Sequence, residues 1–189
     1  GARTLVVVPT MLVDEQGTEG LLEALEVRFL ANRDEHLHFG LLTDFPDAPS
    51  ESAPGDGPLL RFARAGIEAL NAKYGRAAGP GGEARAGDAF FLFHRPRLWN
   101  AQERLWMGYE RKRGKLADLN ALLRGRGSGR FSLVVGETSA LAGVKFVITL
   151  DTDTQLPRDS ARQFVGAMAH PLNRARFDAG GKRVVEGYG

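Results

Sequence analysis

Cysteine is absent from the 189 residues, which excludes disulfides and thiolate-bound metals. That absence fits a reducing compartment. Long apolar runs are missing too. Nothing approaches the ~18 consecutive apolar residues that a membrane-spanning helix requires. Leu5 to Val8 is a strand-sized run, too short for the core of a signal peptide. Charge of one sign is scarce. The net charge is +2, too small an excess to argue for nucleic acid as a partner. The four histidines are scattered, and His36 and His38 have no third ligand nearby in sequence, so a zinc site is not expected. His94 and His170 read as structural. No internal repeat or convincing interdomain linker occurs. What remains is an ordinary globular composition, 43% hydrophobic and 25% charged, in a length that suits one α/β domain with a sizeable core.

Strand and helix patterns alternate along the chain. Thr4 to Val8 reads as a buried strand closed by Pro9-Thr10, and Thr18 to Ala31 as an amphipathic helix with Leu21, Leu22, Leu25, Phe29 and Leu30 on one side. His38 to Thr43 is a second strand, broken by Asp44-Phe45-Pro46-Asp47. Pro58 to Tyr74 is a second helix on Leu59, Leu60, Ala63, Ile67 and Leu70. Ala77 to Gly87 is glycine-rich and reads as a surface loop. Ala89 to His94, Val144 to Leu150 and Arg183 to Glu186 read as strands; Leu116 to Leu123 and Ser160 to Ala169 read as helices, the last with Asp159 as N-cap. The alternation predicts a mostly parallel sheet flanked by helices, joined by right-handed crossovers. The abrupt entry into a strand and the stop after another at Tyr188-Gly189 read as an excerpt of a longer protein.

The most informative stretch is Val144-Lys145-Phe146-Val147-Ile148-Thr149-Leu150-Asp151-Thr152-Asp153. An apolar, β-branched run ends in two carboxylates one residue apart. In extended geometry Asp151 and Asp153 point the same way. Paired carboxylates at the carboxyl end of a strand suit a hard cation, Mg²⁺ or Mn²⁺, bridging to a diphosphate. That edge of an open α/β sheet is also where ligands bind. The plain alternative is a solvated turn.

Longer motifs carry a resemblance. They include Val6-Val7-Val8-Pro9-Thr10, Leu42-Thr43-Asp44-Phe45-Pro46-Asp47-Ala48, Phe91-Leu92-Phe93-His94-Arg95-Pro96-Arg97 and Trp106-Met107-Gly108-Tyr109-Glu110-Arg111-Lys112-Arg113-Gly114-Lys115-Leu116. Two more are Ile148-Thr149-Leu150-Asp151-Thr152-Asp153-Thr154-Gln155-Leu156-Pro157-Arg158-Asp159 and Met168-Ala169-His170-Pro171-Leu172-Asn173. Together they resemble the glycosyltransferase domain, glycosyltransferase family 84, of cyclic β-1,2-glucan synthases over nearly the whole chain. The resemblance implies a GT-A-type, Rossmann-like fold, here a truncated, donor-binding part of the domain. It implies UDP-glucose as donor, a growing β-1,2-glucan chain as acceptor, and a divalent cation. It also implies a place on the cytoplasmic face of the bacterial inner membrane, beside the remaining domains of a multi-pass protein.

Carried onto this chain, the resemblance makes Asp153 a metal ligand and gives Asp151 a share in metal, ribose or sugar. Asp44 would meet uracil, its carboxylate accepting from the imide N–H; Asp also favours the turn before Phe45-Pro46 on its own account. Pro9 and Thr10 would hold the base. Within the basic run Arg111 to Lys115, Arg113 and above all Lys115 would offset the diphosphate charge, with the N-terminus of the Leu116 helix assisting. Arg95 and Arg97 are further donor candidates. Trp99, Trp106 and Tyr109 would stack on sugar rings or pack a loop onto the sheet.

An α-linked donor giving a β-linked product implies inversion, which needs a general base for the acceptor hydroxyl. In similar transferases that base follows a later strand, so it is expected beyond Gly189. The chain is therefore expected to bind donor and metal without turnover. The alternative is a catalytically silent nucleotide-sugar-binding or scaffold module. A nucleotidyltransferase would want a glycine-rich basic loop after the first strand, and Met11 to Gly17 is acidic. Nucleic-acid binding through Arg111 to Lys115 is disfavoured by the flanking Glu110 and Asp118. A sheet left without its last strand would expose an edge that drives dimerisation.

Overall fold

A computed structural model describes residues 1–74, 87–180 and 183–187. The glycine-rich stretch lies outside the described residues apart from Gly87, as do Tyr188 and Gly189. The centre is a five-stranded sheet. Its parallel strands are β1 (Thr4–Met11), β2 (Leu37–Asp44), β3 (Phe90–His94) and β7 (Phe146–Thr149), with β6 (Leu133–Val135) antiparallel at one side. The order is β6-β3-β2-β1-β7. The expected α/β, mostly parallel architecture is therefore present.

Side-chain alternation explains why the strand sequences are apolar almost throughout. Val6, Val8, Phe39, Leu41, Phe90 and Leu92 face one core, which is closed by α1 (Glu15–Ala31) and α2 (Asp56–Tyr74). Leu5, Val7, Leu42, Phe91 and Phe93 face the other, closed by Leu119 of α3 (Arg111–Leu123). A sheet covered on both faces leaves no position for a solvated residue. Each fully buried Leu, Val or Phe contributes about 1.5–3 kcal/mol against exposure.

Several boundaries differ from expectation for physical reasons. Pro9 does not end β1, which runs on to Met11. Thr4 N–H bonds His36 and Leu12 N–H bonds Asp44, so even-numbered donors face β2 and odd-numbered ones face β7. Pairing with β7 stops at Val7, so the N–H that Pro9 lacks has no partner to lose. Leu30, expected inside, is half-exposed, whereas Leu25 and Phe29 are buried. Asp14 caps α1, its Oδ1 accepting from Gly17 N–H at 2.6 Å. Asp159 precedes α4 (Ser160–Ala169) but makes no side-chain cap bond, because its backbone is left-handed. α3 begins five residues earlier than expected, at Arg111, so the basic run lies inside the helix.

Two small hairpins stand apart from the main sheet. β4 (Leu98–Asn100) pairs with β5 (Leu105–Met107), and β8 (Arg176–Asp178) pairs with β9 (Arg183–Glu186). The expected last strand is thus present as β9 but does not join the central sheet. No helix among the described residues is long and apolar enough to cross a membrane.

Candidate functional site

The first three parallel strands step in one direction across the sheet, and β7 then lies on the other side of β1. Such a reversal opens a crevice beyond the carboxyl ends of the strands. A cavity of about 290 Å³ lies there. Pro9, Thr10, Asp44, Arg111, Lys112 and Lys115 line it, together with Thr152 of the loop after β7. Four of the expected residues, Pro9, Thr10, Asp44 and Lys115, are thereby gathered at one sheet edge from stretches far apart in sequence, with Asp151 next to Thr152 on the adjoining loop.

Asp44 is the hub. It is 3% exposed, and both carboxylate oxygens are engaged. Lys115 Nζ donates to Oδ1 at 2.7 Å and also to the Thr10 carbonyl. Arg95 donates to Oδ2 at 3.1 Å and, through its other terminal nitrogen, to Asp118 at 2.8 Å. Arg130 completes the chain on Asp118 at 3.0 Å. Burial pulls the Lys115 ammonium below its ordinary range, while the hydrogen bond to Asp44 pushes back. Gly108 permits the arrangement: a Cβ there would stand 2.1 Å from Asp44 Oδ2. Beneath the hub, the Thr43 hydroxyl meets His94 Nδ1 at 2.8 Å. Burial lowers the His94 pKa to about 4, although Asp44 and Asp56 favour the charged form.

The structure places the other expected residues as follows. Lys115 sits in the second turn of α3, buried on Asp44, and lines the cavity while it holds that carboxylate. Arg95 lies behind Asp44 and does not line the cavity. Arg113 points away: its side chain is 87% exposed, and its ion-pair partner is Glu110, at 3.8 Å. Arg97 clamps Asp56 and the Pro46 carbonyl between β2 and α2. Trp99 and Trp106 pack on each other in the β4–β5 hairpin. Tyr109 lines a second cavity, of about 180 Å³, with Arg95, Asp118 and Arg130.

The cations at the cavity mouth are Arg111, paired with Asp47 at 2.7 Å, and Lys112, paired with Asp151. Asp153 has no ion-pair partner among the described residues and is exposed. No group of three His, Asp or Glu side chains able to hold a metal occurs among the described residues. The donor set nevertheless fits a hard cation that takes one or two carboxylates and completes its shell with phosphate oxygens and water. An ammonium already rests on one of the two carboxylates.

The loop that carries Asp151 and Asp153 is tied down from elsewhere. Arg28 of α1 donates to the carbonyls of Thr152 at 2.8 Å and Thr154 at 2.9 Å. Asn32 donates to the Leu156 carbonyl and accepts from Ala161 N–H. Sequence reading missed both. The available signal was two polar residues, Arg28 and Asn32, inside the apolar stripe of Leu25 and Phe29.

Fold and site together define an α/β protein with a cation-rimmed cavity at the strand-order reversal. No protein-family model matches the chain. It is 43% identical over 187 residues, 99% of its length, to cyclic beta-(1,2)-glucan synthase NdvB of Rhizobium meliloti (strain 1021). It spans 6% of that protein. The chain aligns with one segment of that synthase.

Proposed function

We propose that the chain is the donor-binding part of a UDP-glucose-dependent, inverting glucosyltransferase module of GT-A type, acting in cyclic β-1,2-glucan synthesis at the cytoplasmic face of the bacterial inner membrane. The observation that carries this reading is the cavity at the strand-order reversal, with Arg111 and Lys112 at its rim and Asp151 and Asp153 on the adjoining loop. A nucleoside diphosphate needs those two chemistries side by side: cations for its oxygens and carboxylates for its metal.

Each group then has a task. Thr10 and Asp44 meet the base, with Lys115 and Arg95 holding the Asp44 carboxylate in place. Arg111 and Lys112 take the diphosphate. Asp151 and Asp153 hold Mg²⁺ or Mn²⁺, which when bound offsets charge on the departing diphosphate. The carboxylates lining the cavity are both ion-paired, Asp44 with Lys115 and Arg95 and Asp47 with Arg111. The base and the glucan-binding groups are assigned to the remaining domains of the longer protein.

Calorimetric titration of UDP and UDP-glucose, with and without Mn²⁺, tests the reading. Metal-dependent binding that disappears in Asp151→Ala and Asp153→Ala is expected. Binding indifferent to metal and to Asp153→Ala would instead favour a catalytically silent nucleotide-sugar-binding or scaffold module.

A further inference from the structure

We propose that Lys112 is an exchangeable counter-ion for the acidic loop, resting on Asp151 until a divalent cation displaces it and then moving onto the diphosphate. The inference rests on the donor-site reading above and goes beyond it, because it assigns a residue to the coupling between metal and nucleotide.

The cations at the cavity differ in their freedom to move. The Lys115 and Asp44 side chains are 5% and 4% exposed. Breaking such a pair strands a buried charge, a cost of orders of magnitude in equilibrium. Lys115 is therefore fixed. Lys112 and Asp151 are 49% and 64% exposed. An exposed pair of this kind is worth at most about fivefold in equilibrium. Its parts can separate at little cost, and the long lysine stem lets the ammonium swing without moving α3. Lys112 also lines the cavity while its carboxylate partner lies on the adjoining loop, so it already spans the two halves of the site.

Charge balance supplies the direction. With neither ligand present, Asp151 and Lys112 neutralise each other. A divalent cation on Asp151 repels the ammonium at close range and releases it. A diphosphate arriving with that cation offers the ammonium a new anion within reach of its old position. Metal alone must evict Lys112 with nowhere for it to go, and diphosphate alone must pull it from Asp151. Each ligand removes the other's obstacle, so the two bind with positive coupling, which is reciprocal by linkage.

Arg111 provides an internal contrast. It shares the first turn of α3 and the rim, but its carboxylate is Asp47, which follows β2 and belongs to a different segment from the acidic loop. Arg111 should serve the diphosphate and leave the metal untouched.

The test measures Mn²⁺ binding by electron paramagnetic resonance of the free ion, and UDP binding by calorimetry at saturating Mn²⁺. Lys112→Gln is expected to bind Mn²⁺ alone about two- to fivefold more tightly than the wild type. The same variant should bind UDP about tenfold more weakly. Lys112→Arg, which keeps the charge, should stay near wild type in both. Arg111→Gln should lose UDP affinity with Mn²⁺ affinity unchanged. Unchanged or weaker Mn²⁺ binding by Lys112→Gln, in a protein that still binds UDP with metal, would overturn the exchange and leave the donor site standing. Tighter Mn²⁺ with unaltered UDP would reduce Lys112 to a surface pair and overturn it equally. A wild-type chain that binds no UDP would remove both readings together.

Discussion

His94 shows how far a single buried side chain can set the response to pH. It is 1% exposed and its pKa falls to about 4 because burial penalises the charged ring. In the unfolded chain the ring takes its proton near pH 6.5. The folded state therefore binds fewer protons in that interval, and stability rises with pH. The contribution is complete above pH 6.5 and is lost as pH falls from there to about 4. The full loss approaches about 3 kcal/mol. Urea unfolding at pH 7 and pH 4.5 should show it, and His94→Asn, which keeps a partner for Thr43, should flatten the difference. An equal loss in the variant would assign the acid sensitivity to other groups. Asp44 was legible as the end of β2, whereas Pro9 and Thr10, read as closing the first strand, lie inside it. The partner of Asp44 was not legible. Lys115 lies 71 positions away and reads from sequence as one cation in a basic run.

Elements divide in the same way. β1, β2 and β3 are built on the short apolar stretches Leu5 to Val8, Leu41-Leu42 and Phe90 to Phe93, which marked them as buried strands. The start of α3 was hidden, because Arg111, Lys112 and Arg113 carry no apolar period to mark a helix. The β4–β5 hairpin was hidden too, since its turn places Arg104 at a positive φ of 53° where sequence rules look for glycine or asparagine. Glycines in helices give a paired test of packing against propensity. Replacing glycine with alanine inside an exposed helix usually gains about 0.5–1 kcal/mol. A Cβ on Gly20 of α1 would meet only open space, so Gly20→Ala should gain that amount. Gly114 of α3 has no such room: a Cβ would lie 2.1 Å from the Tyr109 carbonyl oxygen and 3.0 Å from Arg95 Nη1. Gly114→Ala should lose about 1–3 kcal/mol, the usual cost of overpacking. Thermal unfolding of the two variants decides it, and a gain at both positions would mean that α3 shifts freely at this contact.

At the scale of the molecule, apolar surface is distributed unevenly. The side of β1 and β2 is covered by helices, whereas β7 pairs only with β1 among the described residues. Phe164, Met168 and Leu172, in α4 and just after it, are 51%, 44% and 84% exposed, and Phe177 of β8 is 65% exposed. An unpaired strand and apolar side chains in the open favour association. Sedimentation velocity should show concentration-dependent self-association of this chain, reduced by Phe164→Glu with Met168→Glu. A monomer at every concentration would show that this surface is tolerated in water. The edge was expected of a sheet without its last strand, and β9 was read as a strand, but its partner β8 was not, because Arg176 to Asp178 alternates too weakly to declare one.

The anchoring of the acidic loop by Arg28 carries a consequence for the order in which the protein becomes competent. The hydrogen bonds that hold Thr152 and Thr154 reach across 124 and 126 positions of chain. Contacts of such span form only after the cost of closing a long loop has been met, so they belong to the late stages of folding. Asp151 and Asp153 gain their native setting only once α1 has docked on the sheet and β7 has paired beside β1. The cation affinity proposed for these two residues would then belong to the finished fold, since an unfolded or half-assembled chain presents the same two carboxylates as ordinary solvated charges.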